Sequence, residues 1–94
     1  MAKPSGNTKP TLLQERQSIY GRFDQQATTA QELKDVLKAA PRYEELTQPQ
    51  KESLDLIATK LSRIVHGSAE HRDSWVDIAG YSNLIVHILD GNPV

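Results

Sequence analysis

Two acidic and two basic residues have the types and spacing that could support chemistry in this chain: Asp73 and Asp77, with Lys60 and Arg63. The i, i+4 spacing of the two aspartates places both carboxylates on one side of a predicted helix. A carboxylate that is partly buried there needs a cation, a metal or several N–H donors. The two cations belong to the preceding predicted helix. They would either form ion pairs that fix the register of the two helices or bind a phosphate beside the acids.

A metal site is a separate hypothesis. A carboxylate site for Mg²⁺ in a helical protein takes its oxygen ligands from neighbouring helices. Two pairs with i, i+3 and i, i+4 spacing would supply them: Glu52 and Asp55, Asp73 and Asp77. No Gly-rich phosphate loop and no nucleophile motif is present, so nucleophilic catalysis is not predicted.

Aromatic and basic side chains could complete a ligand site. A base that stacks on an aromatic ring gains about 1–3 kcal/mol. The predicted phosphate-binding residues are Lys60, Arg63 and Arg16, and the predicted stacking residues are Tyr20, Trp75 and Tyr81. The alternative for Tyr20 is a packing role at a corner of the chain, because buried aromatic side chains usually serve packing.

Start and stop signals predict two helices in the first half of the chain. The first covers residues 11–19 and ends at Gly21, since glycine tolerates the positive φ of a helix C-cap. The second begins at Asp24 or at Thr29, which has capping-box spacing, and it runs to Ala40 before a proline.

Two further helices are predicted in the second half. The third follows Thr47, which with Gln50 fits a capping box, and Gly67 closes it. Ser68 is the predicted cap of the fourth helix, which runs to residue 89. The fourth helix has a wide apolar arc and is predicted to be central. Gly80 inside it costs about 1 kcal/mol relative to alanine, which close approach of another helix would offset.

The third helix has two contrasting sides. Its predicted inward face is Leu54, Ile57, Ala58, Leu61, Ile64 and Val65. Almost opposite lies a second stripe, which consists of Glu52, Leu56, Lys60 and Arg63. The mixture of an apolar residue with two cations indicates a second contact surface on this side.

Composition sets the class of protein. The sequence predicts an all-α fold, a small four-helix bundle over residues 11–91, with a disordered tail over residues 1–10. A chain of 94 residues has a modest core, so we expect a homo-oligomer. The net charge of −1 argues against general nucleic-acid binding. With no cysteine, no signal peptide and no apolar run of about 18 residues, a cytoplasmic protein without a membrane span is expected.

Three segments, residues 16–23, 50–64 and 73–81, resemble a family of small phage and prophage domains of unknown function. The most specific of them reads Asp-x-Trp-x-Asp-Ile-Ala-Gly-Tyr. The family is in turn distantly similar to the MazG-like all-α nucleotide pyrophosphohydrolases, which bind Mg²⁺ and a nucleoside triphosphate through Glu-Glu-x-x-Glu and Glu-x-x-Asp helices. Here Glu44 and Glu45 precede the third helix, and the resemblance implies a retained phosphate-binding groove.

Three functions follow as expectations. The first is a phage-encoded nucleotide-binding protein that sequesters a host signalling or defence nucleotide, such as a cyclic oligonucleotide. The second is a Mg²⁺-dependent pyrophosphohydrolase of the MazG-like kind. The third is a non-enzymatic inhibitor that binds a host protein through the Leu56 stripe.

Overall fold

The computed structural model describes residues 9–94, which form helices and no strand. The elements are α1 (Leu12–Tyr20), α2 (Phe23–Lys38), a 3-10 turn (Tyr43–Glu45), α3 (Gln48–His66) and α4 (Arg72–Leu89). The predicted all-α class is confirmed. Most of the predicted tail, residues 1–8, lies outside the described residues, whereas Lys9 and Pro10 are exposed and non-helical. No helix within residues 9–94 has the length and apolarity needed to cross a bilayer.

Reciprocal capping fixes the starts of α1 and α3. Thr47 accepts a hydrogen bond from the amide of Gln50 at 3.3 Å, and the Gln50 side chain accepts one from the amide of Thr47 at 2.9 Å. This capping box is the predicted one. Thr11 and Gln14 form a second box at α1. In each case two amides that the helix cannot pair internally are satisfied.

Of the two starts predicted for the second helix, Asp24 agrees with the structure to within one residue and Thr29 is wrong, and the predicted cap at Ser68 is also wrong. Thr29 lies inside α2, and its hydroxyl oxygen is 2.6 Å from Nε2 of His66. The Ser68 hydroxyl accepts a hydrogen bond from the amide of Glu70 in a turn, and α4 begins only at Arg72. Serine and threonine hydroxyls bond equally well in turns and between helices, so a capping pattern alone does not fix a boundary.

The middle helix of the fold is α3, which packs against both α2 and α4, while α2 and α4 have at most marginal contact. Towards α4, the Ser53 hydroxyl donates to the carbonyl oxygen of Tyr81 at 3.2 Å. Towards α2, the Ser62 hydroxyl donates to the side-chain oxygen of Gln26 at 3.0 Å. The nine-residue offset of the two serines puts them on nearly opposite sides of α3. The three helices therefore form a row.

The row replaces the closed bundle predicted from the sequence. The Cα radius of gyration is 17.5 Å, against about 12 Å expected for a compact domain of this length. No residue of α1 is buried, so α1 does not complete a bundle. The predicted central position of the fourth helix is also wrong, because α3 occupies it.

The two sides of the row differ in character. On one side two grooves flank α3, and we call this surface the apolar face: Leu33, Val36, Leu37, Leu54, Ile57, Leu61 and Ile85. On the other side α3 presents Thr59 and Arg63 towards α2. Only three apolar residues among 9–94 are buried, namely Ala30, Ala58 and Ile64. Most of the predicted inward face of α3 is therefore only partly covered.

The α1–α2 and α3–α4 connections cross in direct contact. Gly21 has φ +80°, and a Cβ there would lie 2.5 Å from the carbonyl oxygen of His66. A Cβ on Gly67 would overlap the carbonyl of Ile19. Only glycine permits this approach of the two backbones. The crossing sets Tyr20, the last residue of α1, against the C-terminal end of α3.

Candidate functional site

Lys60 and Asp77 form an ion pair between α3 and α4, with Nζ 2.8 Å from a carboxylate oxygen. The Lys60 side chain is 16% exposed and that of Asp77 is 42% exposed. The geometry matches the hypothesis of an ion pair that fixes the register of the two helices. The charge of Lys60 is neutralised within the chain, which leaves Lys60 less suited to a phosphate than the sequence suggested.

Arg63 forms no ion pair with either aspartate and lies against α1. Its guanidinium carbon is 4.9 Å from the centre of the Tyr20 ring, and that of Arg16 is 5.0 Å from the same ring. The ring of His71 meets Tyr20 edge-on at 5.5 Å. We call these four residues the cation cluster. The sequence predicted Arg16, Tyr20 and Arg63 as ligand-binding residues, and the structure brings these three side chains together.

The two arginines of the cation cluster have no carboxylate within 4.0 Å among residues 9–94. The Nε atom of Arg63 is buried and has no hydrogen-bond partner in the same part of the chain. A buried donor without an acceptor costs about 1–3 kcal/mol. Two cations held against one aromatic ring, with no acid of the described residues paired to either, favour binding of an anion.

On the side of the row away from the apolar face, another groove between α2 and α3 adjoins the cation cluster through Arg63. We call it the α2–α3 groove. It encloses about 180 Å³, and Lys34 and Phe23 line it with Arg63. Phe23 is 71% exposed, so its ring is available for contact. Sequence reasoning missed both residues as site candidates. The eleven-residue spacing between them, three turns of helix, was the signal that places them on one side of α2.

The three predicted stacking residues are separated. Tyr20 contacts two guanidinium groups and one imidazole, so its ring is already covered. Trp75 donates its indole N–H to the carbonyl oxygen of Ala69 at 2.8 Å and is 51% exposed. Tyr81 lines a different shallow groove beside Gly80 on α4. In the α2–α3 groove, Phe23 supplies the exposed ring.

The four predicted metal ligands are not brought together. The Ser53–Tyr81 and Lys60–Asp77 contacts show that α3 and α4 run antiparallel. In this register Asp73 lies level with residues near Arg63, about 15 Å along α3 from Glu52. Within residues 9–94 no group of three or more His, Asp or Glu side chains is placed to hold a metal ion. The grouping of Glu52, Asp55, Asp73 and Asp77 around one ion therefore finds no support within a single chain.

Comparison with known sequences gives one result. A family model described as Domain of unknown function (DUF6378) matches residues 7–89. No curated protein and no solved structure matches the chain.

Proposed function

We propose that this chain, which belongs to the DUF6378 family of domains of unknown function, binds a nucleotide at the cation cluster and the adjoining α2–α3 groove. The observation that carries the proposal is the environment of the Arg63 side chain. Arg63 is half-buried between the cluster and the groove and has no acidic partner among residues 9–94. A neighbouring cation on the same helix, Lys60, does have one.

The two halves of the site suit the two halves of a nucleotide. The guanidinium carbons of Arg16 and Arg63 lie 5.0 Å and 4.9 Å from the centre of one ring, so both cations are placed to contact the phosphates of one bound nucleotide. The Tyr20 ring holds both groups in place by cation–π contact, which lowers the entropy lost on binding. Phe23, exposed at the groove, can stack on a base, and Lys34 can meet a second phosphate.

Binding without hydrolysis is the form of this function that the geometry supports best. The acids that would hold Mg²⁺ in a pyrophosphohydrolase are separated along α3 and α4, and no acid lies within 4.0 Å of the arginines among the described residues. We propose that a phage-encoded protein of this kind sequesters a host signalling or defence nucleotide, such as a cyclic oligonucleotide. The support for a phage setting is the sequence resemblance alone.

The inhibitor hypothesis has less support. The Leu56 stripe was its predicted contact surface, but Leu56 is half-buried and Lys60 of the same stripe pairs with α4. Part of the second contact surface indicated by the stripe is therefore used inside the chain, which leaves less of it for a host protein.

Isothermal titration against inorganic phosphate, ATP and a panel of cyclic oligonucleotides tests the proposal. The wild-type protein is expected to bind at least one nucleotide more tightly than inorganic phosphate, because both the arginines and Phe23 contribute. Arg63→Gln should weaken that binding at least tenfold, since one charge-assisted contact of this kind contributes about 1.5–3 kcal/mol.

Arg42→Gln is the matched control. Arg42 is exposed and pairs with Glu45 in the 3-10 turn, far from α1 in the sequence. Its replacement should leave nucleotide affinity unchanged. If the wild-type protein binds no nucleotide at millimolar concentration, or if both substitutions weaken binding equally, the proposed site is wrong.

A further inference from the structure

The apolar face has no second layer to cover it within the described chain. Helices bury their apolar sides by packing in two layers, and a single row leaves one side of each helix open. Val36 is 71% exposed and Leu61 is 40% exposed, although both belong to helices that contribute to the core. A contiguous apolar surface of this kind marks an interface.

We infer that a second copy of this chain covers the apolar face and that two rows pack as a six-helix sandwich. The position of the face fits this occupant. It runs along α3 from Leu54 to Leu61 and includes residues of α2 and α4, so a second copy would contact all three helices of the row.

The chemistry of the face fits a copy of itself. No acidic or basic residue lines either of its two grooves. A twofold interface is self-complementary, and an uncharged apolar surface meets its own copy without like-charge repulsion. Because a groove lies on each side of α3, that helix forms a ridge between them. The α3 ridge of one copy can therefore lie in a groove of the other copy, next to the other α3.

The small core favours a copy over an unrelated partner. Three buried apolar residues among 9–94 give one row little burial to stabilise it. A chain with so little burial of its own is stabilised only where a partner is available. Another copy of the chain is always available, because it is made in the same place. The cation cluster and the α2–α3 groove lie on the other side of α3, so both subunits keep an open ligand site.

Sedimentation equilibrium of the wild-type protein is the first test. We expect a mass twice the 10.5 kDa of one chain, and a melting temperature that rises with protein concentration. A mass of one chain at 100 µM, with a melting temperature independent of concentration, would overturn the inference.

Leu61→Lys tests which surface is used, with Val76→Lys as the matched control. The two side chains are 40% and 44% exposed, but Val76 lies on α4 beside Gly80, away from the apolar face. We expect Leu61→Lys to raise the dimer dissociation constant at least a hundredfold and Val76→Lys to leave it unchanged. If Leu61→Lys does not fold, Val36→Lys takes its place, because Val36 lies on the same face and is 71% exposed; it is expected to weaken the dimer in the same way. The reverse pattern, or equal effects, would exclude this face.

Discussion

The amide of Ser68 donates a 2.7 Å hydrogen bond to the carbonyl oxygen of Ile19. This bond joins the turn after α3 to the last turn of α1, across 49 residues of sequence. It forms only because Gly67 lets the two backbones come into contact. The position of Tyr20, and with it the cation cluster, depends on this one crossing.

Gly67→Ala should therefore destabilise the protein. The added methyl group would overlap the Ile19 carbonyl, and the backbone has to move to relieve the overlap. We expect a loss of about 1–3 kcal/mol, which corresponds to a melting temperature lower by several degrees for each kcal/mol. Thermal unfolding followed by circular dichroism measures the change. A melting temperature equal to that of the wild type would show that the two connections are not in contact.

Gly80→Ala should have the opposite effect. Gly80 lies inside α4, and a Cβ there would meet no atom within 4 Å. Replacing glycine with alanine in a helix interior gains about 1 kcal/mol when nothing opposes the methyl group. The same thermal scan checks this, and Gly67→Ala serves as its contrast. A decrease in stability would mean that another helix approaches Gly80, as the sequence predicted.

The Lys60–Asp77 pair should respond unequally to the loss of either charge. Asp77→Asn leaves the ammonium group of Lys60, whose side chain is 16% exposed, without a counter-charge. Lys60→Met leaves Asp77, which at 42% exposed can be hydrated. We expect Asp77→Asn to cost about 1–2 kcal/mol and Lys60→Met to cost less.

Chemical denaturation of both single variants and the double variant gives the coupling energy between the two residues. Equal costs for the single variants, with no coupling, would contradict a partly buried pair.

Ser62→Ala should destabilise the α2–α3 contact. Ser62 is 0% exposed, and its hydroxyl donates to Gln26 and to the carbonyl oxygen of Thr59. The substitution leaves the buried amide of Gln26 without this donor, at a cost of about 1–2 kcal/mol. Urea unfolding measures the loss. The double variant Gln26→Met, Ser62→Ala should regain part of it, because no unpaired polar group remains; a further loss would point to packing instead.

Local signals in the sequence were sufficient for most of the helices. Thr47 with Gln50 specifies the start of α3, and Gly21 and Gly67 specify where α1 and α3 end, because capping depends on residues within one turn. The arrangement of the helices was not predictable in the same way. Leu54, Ile57 and Leu61 have the periodicity of a core face whether the covering layer comes from the same chain or from another.

The candidate site was predicted in part. Arg16, Tyr20 and Arg63 were expected to bind one ligand, and their side chains lie together. Lys60 and Arg63 were expected to act together, but they point about 60° apart around α3, and only Lys60 pairs with an acid of α4. Whether Phe23 and Lys34 line the groove depends on the rotation of α2 about its own axis. The periodicity of the sequence does not determine that rotation.

The scarcity of buried apolar side chains has a consequence for the chain in a cell. If the second row is another copy, the free energy of unfolding contains a term in protein concentration. Newly made chains at low abundance would then stay largely unfolded and open to proteolysis, and the folded form would accumulate only above a threshold level of synthesis. The level of synthesis, together with any nucleotide that stabilises the folded form, would then set when the binding site first exists.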